Sequence, residues 1–152
     1  MICVLGDAHL DVVVSARGPV AEETDTPART SVGVGGQAAN VAAWVAALGG
    51  RARLIAARGT DLASQLVVGE LARREVELAG PVIEGRTGVV VSLADGATRS
   101  MLTDRGVGPG LAAGLLQSAW LDGCDWLHLP AYSRSPSRSR ARRWPPPRAC
   151  RG

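Results

Sequence analysis

Residues 32–50 read VGVGGQAANVAAWVAALGG, and Gly35, Gly36, Gln37 and Asn40 within this stretch have the types and spacing to hold a ligand. A glycine pair at a strand-to-helix turn lets the backbone approach a bound group and adopt unusual φ, and a helix start offers N–H donors without intrahelical partners. Gln37 and Asn40 stand three residues apart and so share a face of the first helical turn. Amides both donate and accept, which suits a hydroxyl-rich ligand. Near the start, GDAHLD brings Asp7, His9 and Asp11 just past a short apolar run. Each residue also has a plainer reading. The glycine pair could serve only a tight turn, and Asn40 could brace that turn. Asp11 could cap a turn, His9 could pack or hydrogen-bond, Asp7 could be a turn acid, and Arg105 could be a solvated charge.

The chain that must position these groups has 152 residues, the size of one domain, and its core draws on Ala, Val and Leu with no Phe. All seventeen basic residues are Arg, which excludes a Walker-A lysine and a Schiff-base lysine. Cys3, Cys124 and Cys150 are far apart and fit neither a disulfide framework nor a thiolate metal site, so they read as inert thiols. No long apolar run suggests a membrane span, and the acidic start does not fit a signal peptide, so the expected location is the cytoplasm. The net charge of +3 conceals two halves. Residues 1–133 carry ten arginines against fourteen carboxylates, a net −4, and the last nineteen residues carry +7.

Ile2–Leu5 reads as a buried parallel strand, and Leu10–Val14 and Thr30–Val34 read as short strands of a small sheet with residues 21–28 as loop. Val41, Trp44, Val45 and Leu48 fall at helical spacing, with Gly49 and Gly50 as the stop. Residues 53–57 form another strand. Asp61 is the expected N-cap of a helix whose apolar positions are Leu62, Leu66, Val67, Leu71 and Val76. Thr87–Leu93, an Asp95-Gly96 turn and Ala97–Leu102 give a hairpin. Leu111–Leu121 is expected to be a helix and Trp126–Leu129 a buried strand. This alternation implies a layered α/β fold.

The segment from Val32 to Gly50 resembles the first signature of the PfkB-type (ribokinase-like) carbohydrate kinases, in which a glycine pair and a following Asn contact the sugar. GDAHLD resembles that family's first strand with its sugar-binding acid at Asp11, although His9 falls where many members have Asn. Thr87–Gly106 is similar to the family's remaining lid strands, and Cys124–Tyr132 to its next core strand. The resemblance implies an incomplete three-layer α/β/α sheet with a small β-sheet lid, built from strands near 10–14, 30–34 and 87–102. It assigns residues 1–133 to a partial sugar kinase domain. Asp11, Gly35, Gly36, Gln37 and Asn40 would bind the sugar, with His9 and Arg105 as secondary candidates.

Phosphoryl transfer also needs a base, an anion hole and metal-bridged nucleotide phosphates. The family's Gly-Ala-Gly-Asp signature for these is absent, and GVGPG at residues 106–110 lacks the Asp. Asp122 and Asp125 lie in a loop leading into a strand and are not expected to be catalytic. ATP and Mg²⁺ are therefore expected of the intact family enzyme and not of this chain, which should be inactive alone. Residues 134–152, with seven Arg and four Pro, cannot bury enough surface to fold and read as a disordered, frameshift-derived tail. Two readings compete: a non-catalytic sugar-binding or lid-swapping dimerisation module, and a nucleic-acid arm in the tail, where Trp144 is the sole aromatic.

Overall fold

The computed structural model describes residues 1–95 and 98–130. Four parallel strands, β1 (Ile2–Leu5), β4 (Ala52–Ile55), β5 (Val76–Ala79) and β8 (Trp126–His128), form one sheet in the order β5-β4-β1-β8. A second sheet has the order β3-β2-β6-β7, from β2 (His9–Ala16), β3 (Ala28–Gly35), β6 (Thr87–Ala94) and β7 (Arg99–Gly106). Helix α1 (Gln37–Ala47) links β3 to β4, and α2 (Leu62–Arg73) links β4 to β5. The turn expected at Asp95-Gly96 and the start of its return strand at Ala97 fall outside the described residues, as does everything after Pro130, including Tyr132 and the basic tail. Asp95 still marks the approach to that turn, accepting from the Thr98 amide at 3.0 Å.

Pairing in the first sheet aligns Val4 with Leu54 and Leu78, and Ile2 with Ala52 and Val76. These rows meet Ala38, Ala39 and Ala42 of α1 and Val67 and Leu71 of α2 in one core cluster. Both helices therefore cover the same face of the sheet. The alternate row, Cys3, Arg53, Glu77 and Leu127, faces the other way.

The helix stripe expected from Val41, Trp44, Val45 and Leu48 is only half realised, with Val41 and Val45 packed against the core cluster. Trp44 and Leu48 are 69% and 82% exposed, whereas the three alanines are almost wholly buried. Small side chains let α1 lie close to the strands, so the alanine face wins the core position over the larger residues. The helix stops as expected: Gly49 takes φ +82°, and the Gly49 and Gly50 amides return to the Ala46 and Val45 carbonyls.

Three other expectations need correction. Val76 is not helical. Glu75 adopts φ +59°, which ends the turn after Arg73, and Val76 opens β5. Leu111–Leu121 forms no α-helix but two 3₁₀ turns, Ala113–Leu115 and Ser118–Leu121, following a third at Gly108–Gly110. Leu115, Leu116 and Leu121 are exposed, and without a packing partner a short segment holding Gly114 cannot offset helix nucleation. The last strand is present but open, with Trp126 70% exposed, because β8 is an edge strand.

Asp61 joins the two sheets. Its Oδ1 accepts from the Ser64 amide as the N-cap of α2 and from the Thr87 amide at the start of β6, both at 3.1 Å. Thr87, itself 1% exposed, returns a hydroxyl oxygen to the Gly59 amide at 2.9 Å. Burial alone would push the Asp61 carboxyl up, but hydrogen bonds from Thr87 and Ser64 outweigh it and hold the group below the usual carboxylate value. Asp61→Ala is predicted to destabilise the chain by about 2 kcal/mol in urea unfolding at neutral pH, because it strands two amides. The folded-state pKa is depressed, so the Asp61 contribution is complete above about pH 4 and is lost as pH falls through the folded value. The two chains should therefore converge in stability in strong acid.

Candidate functional site

The site forms where the second sheet runs into α1. Gly36 is the residue before the helix and takes φ +108°, a conformation open to glycine. A Cβ there would also stand 2.5 Å from the Asp7 carbonyl oxygen. That close approach seats the helix start on Asp7. The Ala38 amide donates to Asp7 Oδ1 at 3.1 Å, and the Ala39 amide donates to the Asp7 carbonyl at 3.3 Å. The Asn40 amide donates to Gly36 O at 2.9 Å. The first-turn donors expected to be free for a ligand are thus mostly spent, and their positive end already faces a carboxylate. A phosphate has little to gain at this helix start, so recognition falls to side chains.

Those side chains come from β2. Its antiparallel register with β3 sets His9 opposite Gly35 and Asp11 opposite Gly33, so His9 and Asp11 share one face. The Asp11 carboxylate lies over Gly35, in the space that a Cβ on Gly35 would occupy. The His9 ring stands between the two acids, with Nε2 3.0 Å from Asp11 Oδ1 and Nδ1 3.9 Å from Asp7 Oδ2. Asp11 Oδ1 is buried beside His9 Nε2. The rest of the carboxylate is partly exposed, which leaves room for an incoming hydroxyl.

On the other side, Leu10 pairs with Val89, which brings His9 level with Gly88. A Cβ on Gly88 would come within 3.2 Å of His9 Cβ and 3.0 Å of the Arg105 carbonyl, so this glycine makes room for the imidazole. Gly35, His9, Gly88 and Arg105 thus form one row across the four strands. Arg105 lies two strands from His9, roughly 10 Å away in backbone spacing. Gln37 and Asn40 are both exposed on the first turn of α1.

The structure therefore gathers Asp11, His9, Gly35, Gly36 and Gln37 at one junction, with Asn40 at the end of the same turn and Arg105 at the far side of the lid row. Two further residues belong to this junction: Asp7, expected only as a turn acid, and Gly88. The signal for Asp7 was a carboxylate at a strand end ahead of a helix lacking its own capping side chain. The signal for Gly88 was a glycine inside a strand otherwise rich in valine. Among the described residues, no group of three or more His, Cys, Asp or Glu is arranged to hold a metal ion.

The pfkB family carbohydrate kinase model matches residues 1–120. A search of curated proteins finds no match. Among solved structures, a ribokinase from Thermotoga maritima is 23% identical with a TM-score of 0.69, covering 83% of this chain and 43% of its own. An Arabidopsis thaliana ribokinase complexed with ribose and ATP is 23% identical with a TM-score of 0.58, over 69% of this chain and 36% of its own. A ribokinase II-type structure from E. coli in complex with ATP and Mg²⁺ is 18% identical with a TM-score of 0.69, over 84% and 42%. The chain has their fold and spans less than half the length of each.

Gly36→Ala is predicted to cost at least about 2 kcal/mol of stability, since it adds left-handed strain to a backbone clash. Gly35→Ala should cost less and instead displace the Asp11 carboxylate. Urea unfolding separates the first effect, and the His9 imidazole resonances in NMR report the second. Equal losses of stability with an unmoved His9 would refute the assignment.

Proposed function

The chain belongs to the pfkB family of carbohydrate kinases, and on that premise we propose that it supplies the sugar-binding side and lid of an ATP-dependent sugar kinase. The observation that carries this reading is the partly exposed Asp11 carboxylate held over Gly35 beside His9. A carboxylate in that state accepts from a hydroxyl and disfavours an anion, which fits a neutral polyol. Gly35 and Gly36 shape the seat by admitting the Asp11 carboxylate and the Asp7 carbonyl, and Gln37 and Asn40 add amides that both donate and accept. His9 fixes the Asp11 rotamer and narrows the seat on the β2 side. Arg105 would reach an anionic substituent on the substrate.

The residues present do not fit a nucleotide. The chain has no lysine, the Asp7 cap already occupies the α1 donors, and no metal-ligating cluster exists among the described residues. ATP and Mg²⁺, present in the E. coli neighbour, would supply the transferred phosphoryl group and its charge neutralisation in an intact family enzyme. In this chain the reading is confined to binding and orienting the sugar, and the chain alone is inactive. No helix among the described residues is long and apolar enough to cross a membrane. A cytoplasmic location is part of this proposal.

A second reading, self-association through the lid, has its own observation. Val32, Val12, Val91 and Leu102 form an apolar row across all four lid strands, on the face opposite Asp11. Val32 and Leu102 are 59% and 60% exposed. An exposed apolar row of this kind is a natural contact between two copies.

Two measurements test these readings. Calorimetry against a panel of pentoses and hexoses should give binding that falls at least about tenfold in Asp11→Ala and Asn40→Ala. No sugar phosphate should form with ATP and Mg²⁺ present. Turnover above a vector control would overturn the inactivity, and variants that bind as well as the parent would overturn the site. Light scattering should give a dimer mass for the parent chain and a monomer for Val32→Asp/Leu102→Asp, and a monomeric parent would remove the second reading.

A further inference from the structure

Two thiols that the sequence separates meet on the sheet face away from the helices. Cys3 lies in the row with Arg53, Glu77 and Leu127, and is fully buried. Residues 118–125 run over that row and are tied to it. Arg53 Nη1 donates to the carbonyls of Trp120 and Asp122 at 3.0 and 2.9 Å. The Asp125 amide donates to Met1 O at 2.9 Å, and the amino terminus pairs with the Asp125 carboxylate. Gly123, at φ +72°, makes the turn between these anchors.

Cys124 is fixed at the end of this strap, and its Sγ turns along β8 to the Trp126 carbonyl at 3.2 Å. Ile2 pairs with Trp126 and Cys3 with Leu127, so the Trp126 carbonyl points between the levels of Ile2 and Cys3. The Cys124 thiol therefore stands beside the Cys3 thiol. Burial, with hydrogen bonding to Cys124 adding to it, pushes the Cys3 thiol up to about 11. Cys124 is the more accessible of the two.

We propose that Cys3 and Cys124 are a reversible thiol modification site that closes to an intrachain disulfide in the presence of a peroxide. Cys124, the accessible sulfur, attacks the peroxide, takes one oxygen as a sulfenic acid and releases one water. The Cys3 sulfur then displaces that oxygen, which leaves with the thiol proton as a second water while the S–S bond forms. The two thiols give up two electrons and two protons, and the peroxide is reduced to two waters. A small thiol such as glutathione reverses the step by exchange. The bond fastens the first strand to the strap that leads into the open edge strand β8.

The test uses the full chain carrying Cys150→Ser, so that the only thiols are the pair. After treatment with dilute hydrogen peroxide, native alkylation should find both thiols lost, and non-reducing peptide mapping should join the Cys3 and Cys124 peptides within a monomer. Dithiothreitol should restore both thiols. The oxidised chain should melt higher by roughly 5 °C or more, since the closed loop takes in most of the folded chain. Cys124→Ser, a change at a partly exposed position, should keep the fold by circular dichroism and abolish the linkage. The proposal is overturned if both thiols stay alkylatable after the peroxide treatment. It is equally overturned if Cys124 is driven to sulfinic acid with Cys3 still a thiol, or if the linked peptides arise only from dimers.

Discussion

The seating of α1 on Asp7 is the constraint on which the rest of this molecule depends. The strand-to-helix junction can be this tight only because Gly36 has no side chain and accepts a positive φ. With the helix start pressed against the Asp7 carbonyl and carboxylate, the alanine face of α1 reaches the first sheet and the glycine pair is brought beneath β2. The position of the Asp11 carboxylate over Gly35 follows from that placement. So does the electrostatic character of the seat: two carboxylates and an imidazole line it, and the helix dipole is already answered by Asp7. A neutral, hydroxyl-bearing ligand matches such a surface better than a phosphate does.

The lid and the core are coupled by a second carboxylate. Asp61 caps α2 and accepts from the first amide of β6, so the strand carrying Gly88 is registered against the helical layer. Since Gly88 makes room for His9, the register of β6 also governs where the imidazole sits. The site is therefore held from two directions, by α1 through Asp7 and by α2 through Asp61. Asp61 is itself remote from the proposed sugar seat, whereas Asp7 forms part of its wall.

Much of this was legible in the residues. The β-branched runs gave the lid strands, Asp61 gave the α2 cap, and the glycine doublets gave both the start and the stop of α1. The misreadings share a physical origin. Periodicity ranks helix faces by hydrophobicity, whereas the contact between α1 and the sheet selected small side chains, leaving Trp44 and Leu48 in solvent. The leucine-rich stretch after Gly110 has helical spacing but no surface to pack on, and it stayed in 3₁₀ turns. Asp7 could not be distinguished from an ordinary turn acid because its partners, the Ala38 and Ala39 amides, are remote from it in the chain. The adjacency of Cys3 and Cys124 was hidden for the same reason, since it exists only once β8 pairs with β1.

The junction of β2, β3 and α1 either meets a sugar or serves only the packing of the lid. Amide chemical shifts of the ¹⁵N-labelled chain, followed through a titration with the best-bound pentose or hexose, test this most directly. The expected result is a set of saturable changes centred on Asp11 and Gly35 to Asn40, extending along the row through Gly88 to Arg105, with the strap at residues 118–125 unmoved. Saturable shifts confined to other surfaces, with the glycine pair and Asp11 silent, would contradict it.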